Sequence, residues 1–333
     1  MATSFTHGHA LLVGIGVDLP NTVDDALGIA GILRDPQRCA YPASQVQTLT
    51  GEEAGRSQIL AALDRLAQVA TADDTVLVYF SGHGYRVSSA IGEAYYLLPY
   101  GYQLQRLYQT AISGAEFTAR LAAIPARRLL VLLDCCHAGG VGEAKAAGLS
   151  LVKAPLPPEA LALLAEGRGR VLIASSRGEE LSFAGRPYSA FTLALIEALC
   201  GQGVARQDGT VRVADLALHA RQVVPGRTRQ RQHPVLHFEH ADNFAVAYYA
   251  GGVATPKGLP FAAQPEIEPE PGAWQAMGGV TVHGDQIASQ GPVATHGSAL
   301  SAGSGVAVVG NRNVVITGQV GGDVLVDSGR STA

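Results

Sequence analysis

A histidine and a pair of cysteines stand at the ends of two short apolar runs. Val76-Leu77-Val78-Tyr79-Phe80 leads into Ser81-Gly82-His83-Gly84, and Leu129-Leu130-Val131-Leu132-Leu133 leads into Asp134-Cys135-Cys136-His137-Ala138-Gly139-Gly140. A thiol attacks carbonyl carbon as its thiolate, and a nearby imidazole can take the thiol's proton and later pass it to a leaving group. These residue types therefore point to acyl transfer through a cysteine. His83 and Cys136 are 53 residues apart, so only the fold can bring them together. Each run is short, bounded and followed by small residues, which reads as a buried strand. If the two strands are parallel neighbours, the histidine and cysteines share one carboxyl end, where open α/β sheets carry their chemistry. Asp-Cys-Cys-His also contains metal-ligand types, but adjacent cysteines without a second cysteine pair are poor zinc spacing.

The elements that must position these residues follow from the hydrophobic pattern. Ala10 to Gly16 predicts a first strand, and Val23 to Arg34 a helix capped by Asn21 or Thr22. Val46 to Thr50 predicts a short strand. Arg56 to Ala70 predicts an amphipathic helix with Ile59, Leu60, Leu63 and Leu66 on one face. Tyr95 to Pro99 reads as a strand, Gly114 to Ile124 as a helix, Arg170 to Ser175 as a strand. Ser189 to Leu199 and Val213 to Val223 read as helices. This β-α alternation implies a mostly parallel sheet covered on both faces. Gly139 to Gly169 breaks the pattern and reads as a loop rich in small residues. Gly14-Ile15-Gly16 follows a strand but lacks the third glycine of a nucleotide-binding turn.

The chain resembles the caspase-like cysteine peptidases of peptidase C14 type, in their metacaspase-like bacterial branch. The resemblance spans roughly residues 10–244. It rests on Ser81-Gly82-His83-Gly84, on Asp134-Cys135-Cys136-His137-Ala138-Gly139, on Ala174-Ser175-Ser176 and on Ser189-Ala190-Phe191-Thr192. It implies an α/β fold, a caspase-like three-layer sandwich with a mostly parallel central sheet. It also implies a His83–Cys136 dyad, because the family's nucleophile lies two residues after the aspartate, and it leaves Cys135 a structural role on the other side of the strand. By the same resemblance the N–H groups of Gly84 and Cys136 form the oxyanion hole. Asp25, Ser81 and Asp134 match the acidic S1 pocket that takes Arg or Lys, and charge-assisted, bidentate bonds suit a guanidinium there. The bland alternative makes Asp25 ordinary first-turn helix chemistry and Asp134 a strand-end cap. Many metacaspases bind an activating calcium through aspartates between the catalytic pair. From Tyr85 to Leu133 this chain has no Asp, and its acids there are Glu93 and Glu116. A hard cation needs several oxygen ligands, so no metal or other cofactor is expected.

Composition sets further bounds. A net charge of −4 offers no footprint for nucleic acid. The four cysteines, Cys39, Cys135, Cys136 and Cys200, make no secreted disulfide pattern, and residues 1–9 do not read as a signal peptide. No apolar run has membrane-spanning length. A reducing cytoplasm is the expected setting. Three segments are expected: a peptidase domain over 1–250, a Pro/Glu-containing linker over 251–275, and a Gly/Val-rich β-prone tail over 276–333. The tail carries the runs Val280 to Val282, Val306 to Val309, Val314 to Thr317 and Val324 to Val326, each followed by turn residues. It reads either as a disordered Gly-rich tail or as a cross-β self-association segment, with a weak resemblance to assembly tails of bacterial death and immune effectors. The expected partners are proteins or peptides with a basic P1 residue, and further copies of the chain. Lys145, Lys153 and Arg168 are candidate self-cleavage points in the loop after the cysteines. The rival reading is a catalytically silent caspase-like scaffold that assembles through its tail.

Overall fold

The computed structural model describes residues 4–17, 19–89, 92–135, 144–146, 149–153, 169–177, 180, 182–238, 242–262, 280–283 and 313–316. The chain divides into two compact units, Met1–Ala138 with Glu143–Pro269 and Gly139–Gly142 with Glu270–Ala333.

The larger unit is built on a six-stranded sheet. Its strands are β1 (Gly8–Gly14), β2 (Val46–Thr50), β3 (Thr75–Gly82), β7 (Arg128–Cys135), β10 (Arg170–Ala174) and β12 (Val235–His237). They run in the order β12-β10-β7-β3-β1-β2. Every pairing is parallel except that of β12, which closes one edge antiparallel to β10. Successive side chains on a strand point to opposite faces, and both faces here are apolar. Leu12, Tyr79, Leu132 and Ile173 pack with the helices α1 (Asn21–Arg34), α5 (Ala190–Leu199) and α6 (Val213–Arg227). Val13, Val78, Val131 and Leu172 pack with α2 (Arg56–Val69) and α4 (Gly114–Ala123). Each such side chain taken from water contributes roughly 1.5–3 kcal/mol, so the two clusters fix the sheet between its helical layers. A buried ion-pair cluster joins α5 to α6, where Glu197 meets His219 and Arg227. Burial pushes the Glu197 carboxyl up, but its two partners outweigh that and hold it below the ordinary range.

The expected three-layer sandwich is present, with three departures. First, α1 starts at Asn21 rather than Val23 and has Pro20 at its N-cap, with no side-chain cap bond. Thr22 is not a cap. Its hydroxyl accepts from the Gly16 N–H and donates to the Leu19 carbonyl, tying the β1–α1 turn. Second, Tyr95 to Pro99 does not extend the parallel sheet. It overlaps β5 (Gly92–Leu97), part of a separate antiparallel sheet. The other members are β4 (Gly84–Ser89), β6 (Ile112–Ser113), β8 (Ala144–Ala146) and β9 (Leu149–Lys153), and the order is β6-β5-β4-β9-β8. The one-turn helix α3 (Leu107–Thr110) precedes β6. Third, Gly139 to Gly169, read as a loop, contributes β8 and β9. A final small pair, β11 (Thr210–Arg212) with β13 (Ala245–Tyr248), flanks α6 in sequence.

In the smaller unit, β14 (Val280–His283) pairs antiparallel with β15 (Asn313–Ile316), Val280 opposite Ile316. Two of the four valine-rich runs thus form strands, while Val306 to Val309 and Val324 to Val326 lie outside the described residues. Among the described residues no helix is long and apolar enough to cross a membrane.

Candidate active site

The site is assembled at the carboxyl ends of β3 and β7. These strands are parallel neighbours, with Ser81 opposite Asp134 and Gly82 opposite Cys135. His83 is the single residue between β3 of the parallel sheet and β4 of the antiparallel one. It is buried, and its carbonyl accepts the Leu98 N–H at 3.0 Å. Gly84 opens β4 opposite Leu97. Packing requires a glycine at position 82. A Cβ there would lie 2.6 Å from Ile15 Cγ1.

Cys135 ends β7 on the face that carries Leu129, Val131 and Leu133, within the core beneath α2 and α4. Its thiol is buried, and burial, with the Asp134 charge adding to it, pushes it well above the ordinary range. Such a thiol is a poor source of thiolate. Cys136 lies outside the described residues, as do His137 and Arg168. It is bonded to Cys135, whose Cα pairs with that of Gly82, the residue before His83.

On the opposite face of the same strand ends the structure brings together Asp25, Ser81 and Asp134. All three are fully buried. Ser81 continues the β3 face of Leu77 and Tyr79, Asp134 continues the β7 face of Leu130 and Leu132, and Asp25 comes down from α1. The Ser81 hydroxyl lies 3.4 Å from Asp25 Oδ2. Three residues without an assigned role complete the cluster. Ser189, the N-cap of α5, donates its backbone N–H to Asp25 Oδ1 at 2.8 Å and its hydroxyl to Asp134 Oδ2 at 2.6 Å. Ser182 donates to Asp134 Oδ1 at 2.6 Å. Gln232 donates to the Ser175 carbonyl at 2.9 Å and to the Ser182 hydroxyl at 3.2 Å. Burial, reinforced by the Asp134 charge, raises the Asp25 carboxyl well above the usual carboxylate range. The bonds from Ser189, Thr192 and Ser81 oppose this without cancelling it. Ser189 had a local signal, a serine just ahead of an apolar helix. Ser182 and Gln232 had none, because tertiary contacts alone bring them here.

A family model described as the caspase domain matches residues 7–245 of the sequence. The chain belongs to the caspase-domain family. Membership supports a cysteine-peptidase function in general terms, with proteins as the substrate class. Among solved structures, protein GSU0716 from Geobacter sulfurreducens is similar in fold. It has a TM-score of 0.50 and 17% sequence identity, over 74% of this chain and 98% of that one. Caspase-1 from Spodoptera frugiperda also aligns, with a TM-score of 0.38 and 15% identity, over 71% of this chain and 88% of that one. No curated protein matches the sequence. Within the caspase domain, the self-cleavage candidates Lys145 and Lys153 are strand residues rather than loop residues. Lys145 pairs with Ser150, and Lys153 with Tyr85. Cleavage at either would first require unpairing that ladder.

Proposed function

We propose that this caspase-domain protein is a cysteine endopeptidase that cuts polypeptides after arginine or lysine. In this reading Cys136 attacks the scissile carbonyl as its thiolate, and His83 holds the displaced proton. The N–H groups of Gly84 and Cys136 receive the developing oxyanion. His83 then protonates the departing amine, and water releases the acyl group from sulfur. Asp25, Ser81 and Asp134 floor the S1 pocket. The burial of Cys135 in the opposite core favours Cys136 as the nucleophile.

The observation that carries the specificity is the buried acid pair. Asp134 is the charged group acting on Asp25, and the two carboxyls are enclosed together. A buried charge without a partner is costly. An incoming guanidinium or ammonium supplies an opposite charge, whereas a P1 aspartate adds repulsion. Activation would come through assembly or a partner rather than calcium. The family resemblance supports a role in bacterial cell death or immune signalling, and the cysteine pattern supports a reducing cytoplasm as its setting.

The test is turnover of fluorogenic peptides that differ only at P1, by the full chain and by its Cys136→Ala variant. Arg and Lys substrates should be cut, and Asp substrates left intact. The variant should be inactive. Equal or faster turnover of the Asp substrate would refute the acidic pocket.

A further inference from the structure

The two acids are held in unequal ways, and the donors around Asp134 can be read from their own partners. Gln232 Oε1 accepts the Phe183 N–H at 2.9 Å, which turns its amide NH2 toward Ser182. An NH2 can only donate, so the Ser182 oxygen accepts from Gln232 and its own O–H is left to donate to Asp134. The Ser189 oxygen likewise accepts the Thr192 N–H at 2.9 Å, which leaves its O–H to donate to Asp134. Each oxygen of Asp134 therefore receives one hydroxyl bond at 2.6 Å from a serine that has its own donor behind it. That arrangement suits an anion, because a proton on Asp134 would require one of these serine O–H groups to turn away from it.

Asp25 is supported differently. It has one fixed donor, the Ser189 N–H. Its other neighbours are the hydroxyls of Ser81 and Thr192, and Thr192 shares a 2.7 Å bond with the Tyr79 hydroxyl in which either can donate. Those hydroxyls can turn to accept a proton from Asp25. Two carboxylates enclosed together do not both ionise readily. Tyr79 on β3, Tyr188 ahead of α5 and Cys135 on β7 are titratable groups that feel the charge of the pair, and each is a neutral donor; the His83 imidazole stands two residues beyond Ser81 on the same segment.

We propose that Ser182, Ser189 and Gln232 are positioning residues that make Asp134 the anion that receives the basic P1 side chain, with Asp25 its protonated, hydrogen-bonding companion. This rests on the S1 reading above and divides its labour. The raised Asp25 carboxyl agrees with the geometry. The proton shared by the two acids stays on Asp25 while the cation meets Asp134. Removing either serine hydroxyl makes Asp134 easier to protonate, so a basic ligand loses its anion at a higher pH.

The experiment uses the full chain carrying Cys136→Ala, so that nothing is cut. Binding of a fluorescent tetrapeptide amide ending in Arg is measured by anisotropy across the acid-to-neutral range, with a Gln-ended peptide as the uncharged control. Asp134→Asn should cost about a hundredfold of the preference for Arg, and Asp25→Asn only several-fold. Ser182→Ala and Ser189→Ala should each weaken Arg binding about tenfold and move the acid limb of the binding curve to higher pH. Ser189→Thr, which keeps both the cap and the hydroxyl, should restore it. Ser182→Ala removes no helix cap, so it decides the matter if Ser189→Ala folds poorly. Equal losses for the two Asn variants, or an acid limb unmoved by Ser182→Ala, would overturn the proposal. A parent chain that prefers the Gln peptide would instead sink the basic S1 pocket itself.

Discussion

Two adjacent cysteines, the first of them enclosed in the core, make the sharpest prediction at the residue scale. Cys135 is enclosed in the core beneath α2 and α4, while Cys136 directly follows it. Cys136→Ala should abolish peptide hydrolysis, and Cys135→Ala should keep most of it. His83→Ala should slow the reaction by on the order of 10²- to 10⁴-fold, the usual worth of a positioned acid–base group. Active-site titration with a covalent Arg-directed probe separates lost chemistry from lost folding. An active Cys136→Ala beside an inactive Cys135→Ala would reverse the assignment. Asp25 adds a pH dependence of stability. Its carboxyl is raised in the folded protein. Its contribution to stability is therefore present below the unfolded value, near the ordinary 3.8, and is lost as pH rises through the raised folded value. Asp25→Asn should accordingly gain stability relative to the parent as pH rises through that window. Urea unfolding at a series of pH values checks it, and a gap between the two proteins that does not change with pH would contradict it.

At the scale of elements, glycines on two sides of α1 make opposite predictions. A Cβ on Gly14 would lie 2.2 Å from the Thr22 carbonyl oxygen, where β1 passes under the start of α1, whereas a Cβ on Gly31 meets nothing within 4 Å. Gly14→Ala should cost about 1–3 kcal/mol through forced backbone movement. Gly31→Ala should add up to ~1 kcal/mol by removing a flexible residue from an exposed helix position. Chemical denaturation of both variants tests the close approach of strand and helix. A second element-scale expectation concerns β4 to β7, which span the Asp-free stretch from Tyr85 to Leu133. Calcium should leave the rate of Arg-peptide hydrolysis unchanged, and a saturable activation reversed by chelator would reveal a site elsewhere. The sequence disclosed the parallel strands and the main helices well, because runs such as Thr75–Gly82 are apolar on both faces and end in small residues. It disclosed the second sheet poorly. β4 carries Tyr85-Arg86-Val87 in alternation, a usable strand signal that the adjoining His83 motif masked. Ala144–Ala146 is too short and too small to signal a strand alone. The clustering of Asp25, Ser81 and Asp134 was expected from the family resemblance, but the hydroxyls bonded to Asp134 come from Ser182 and Ser189, and such long-range convergence leaves no local pattern.

For the whole molecule, the tail and the caspase domain make separable predictions. The strands β14 and β15 lie in a valine-rich segment of low charge, the composition that favours strand stacking between chains. A chain ending near Pro271 should keep peptidase activity per folded site and lose concentration-dependent assembly. Sedimentation of both forms decides this, and a full-length protein that stays monomeric across micromolar concentrations would reduce the tail to a linker. The order of strands has a further consequence. β7 and β10 are neighbours in the central sheet, yet the chain between them includes β8, β9 and the basic residue Arg168. A cut at Arg168 would leave His83, Cys136, Asp25 and Asp134 on one polypeptide, and Ser182, Ser189 and Gln232 on the other. The parallel ladder from Arg170 opposite Leu129 to Ala174 opposite Leu133 would still join the pieces. The caspase domain is thus a natural candidate for a split protein. Two separately expressed halves, divided at that point, should find each other through one strand pair and the helical layer over it, and neither half alone should recognise a basic side chain.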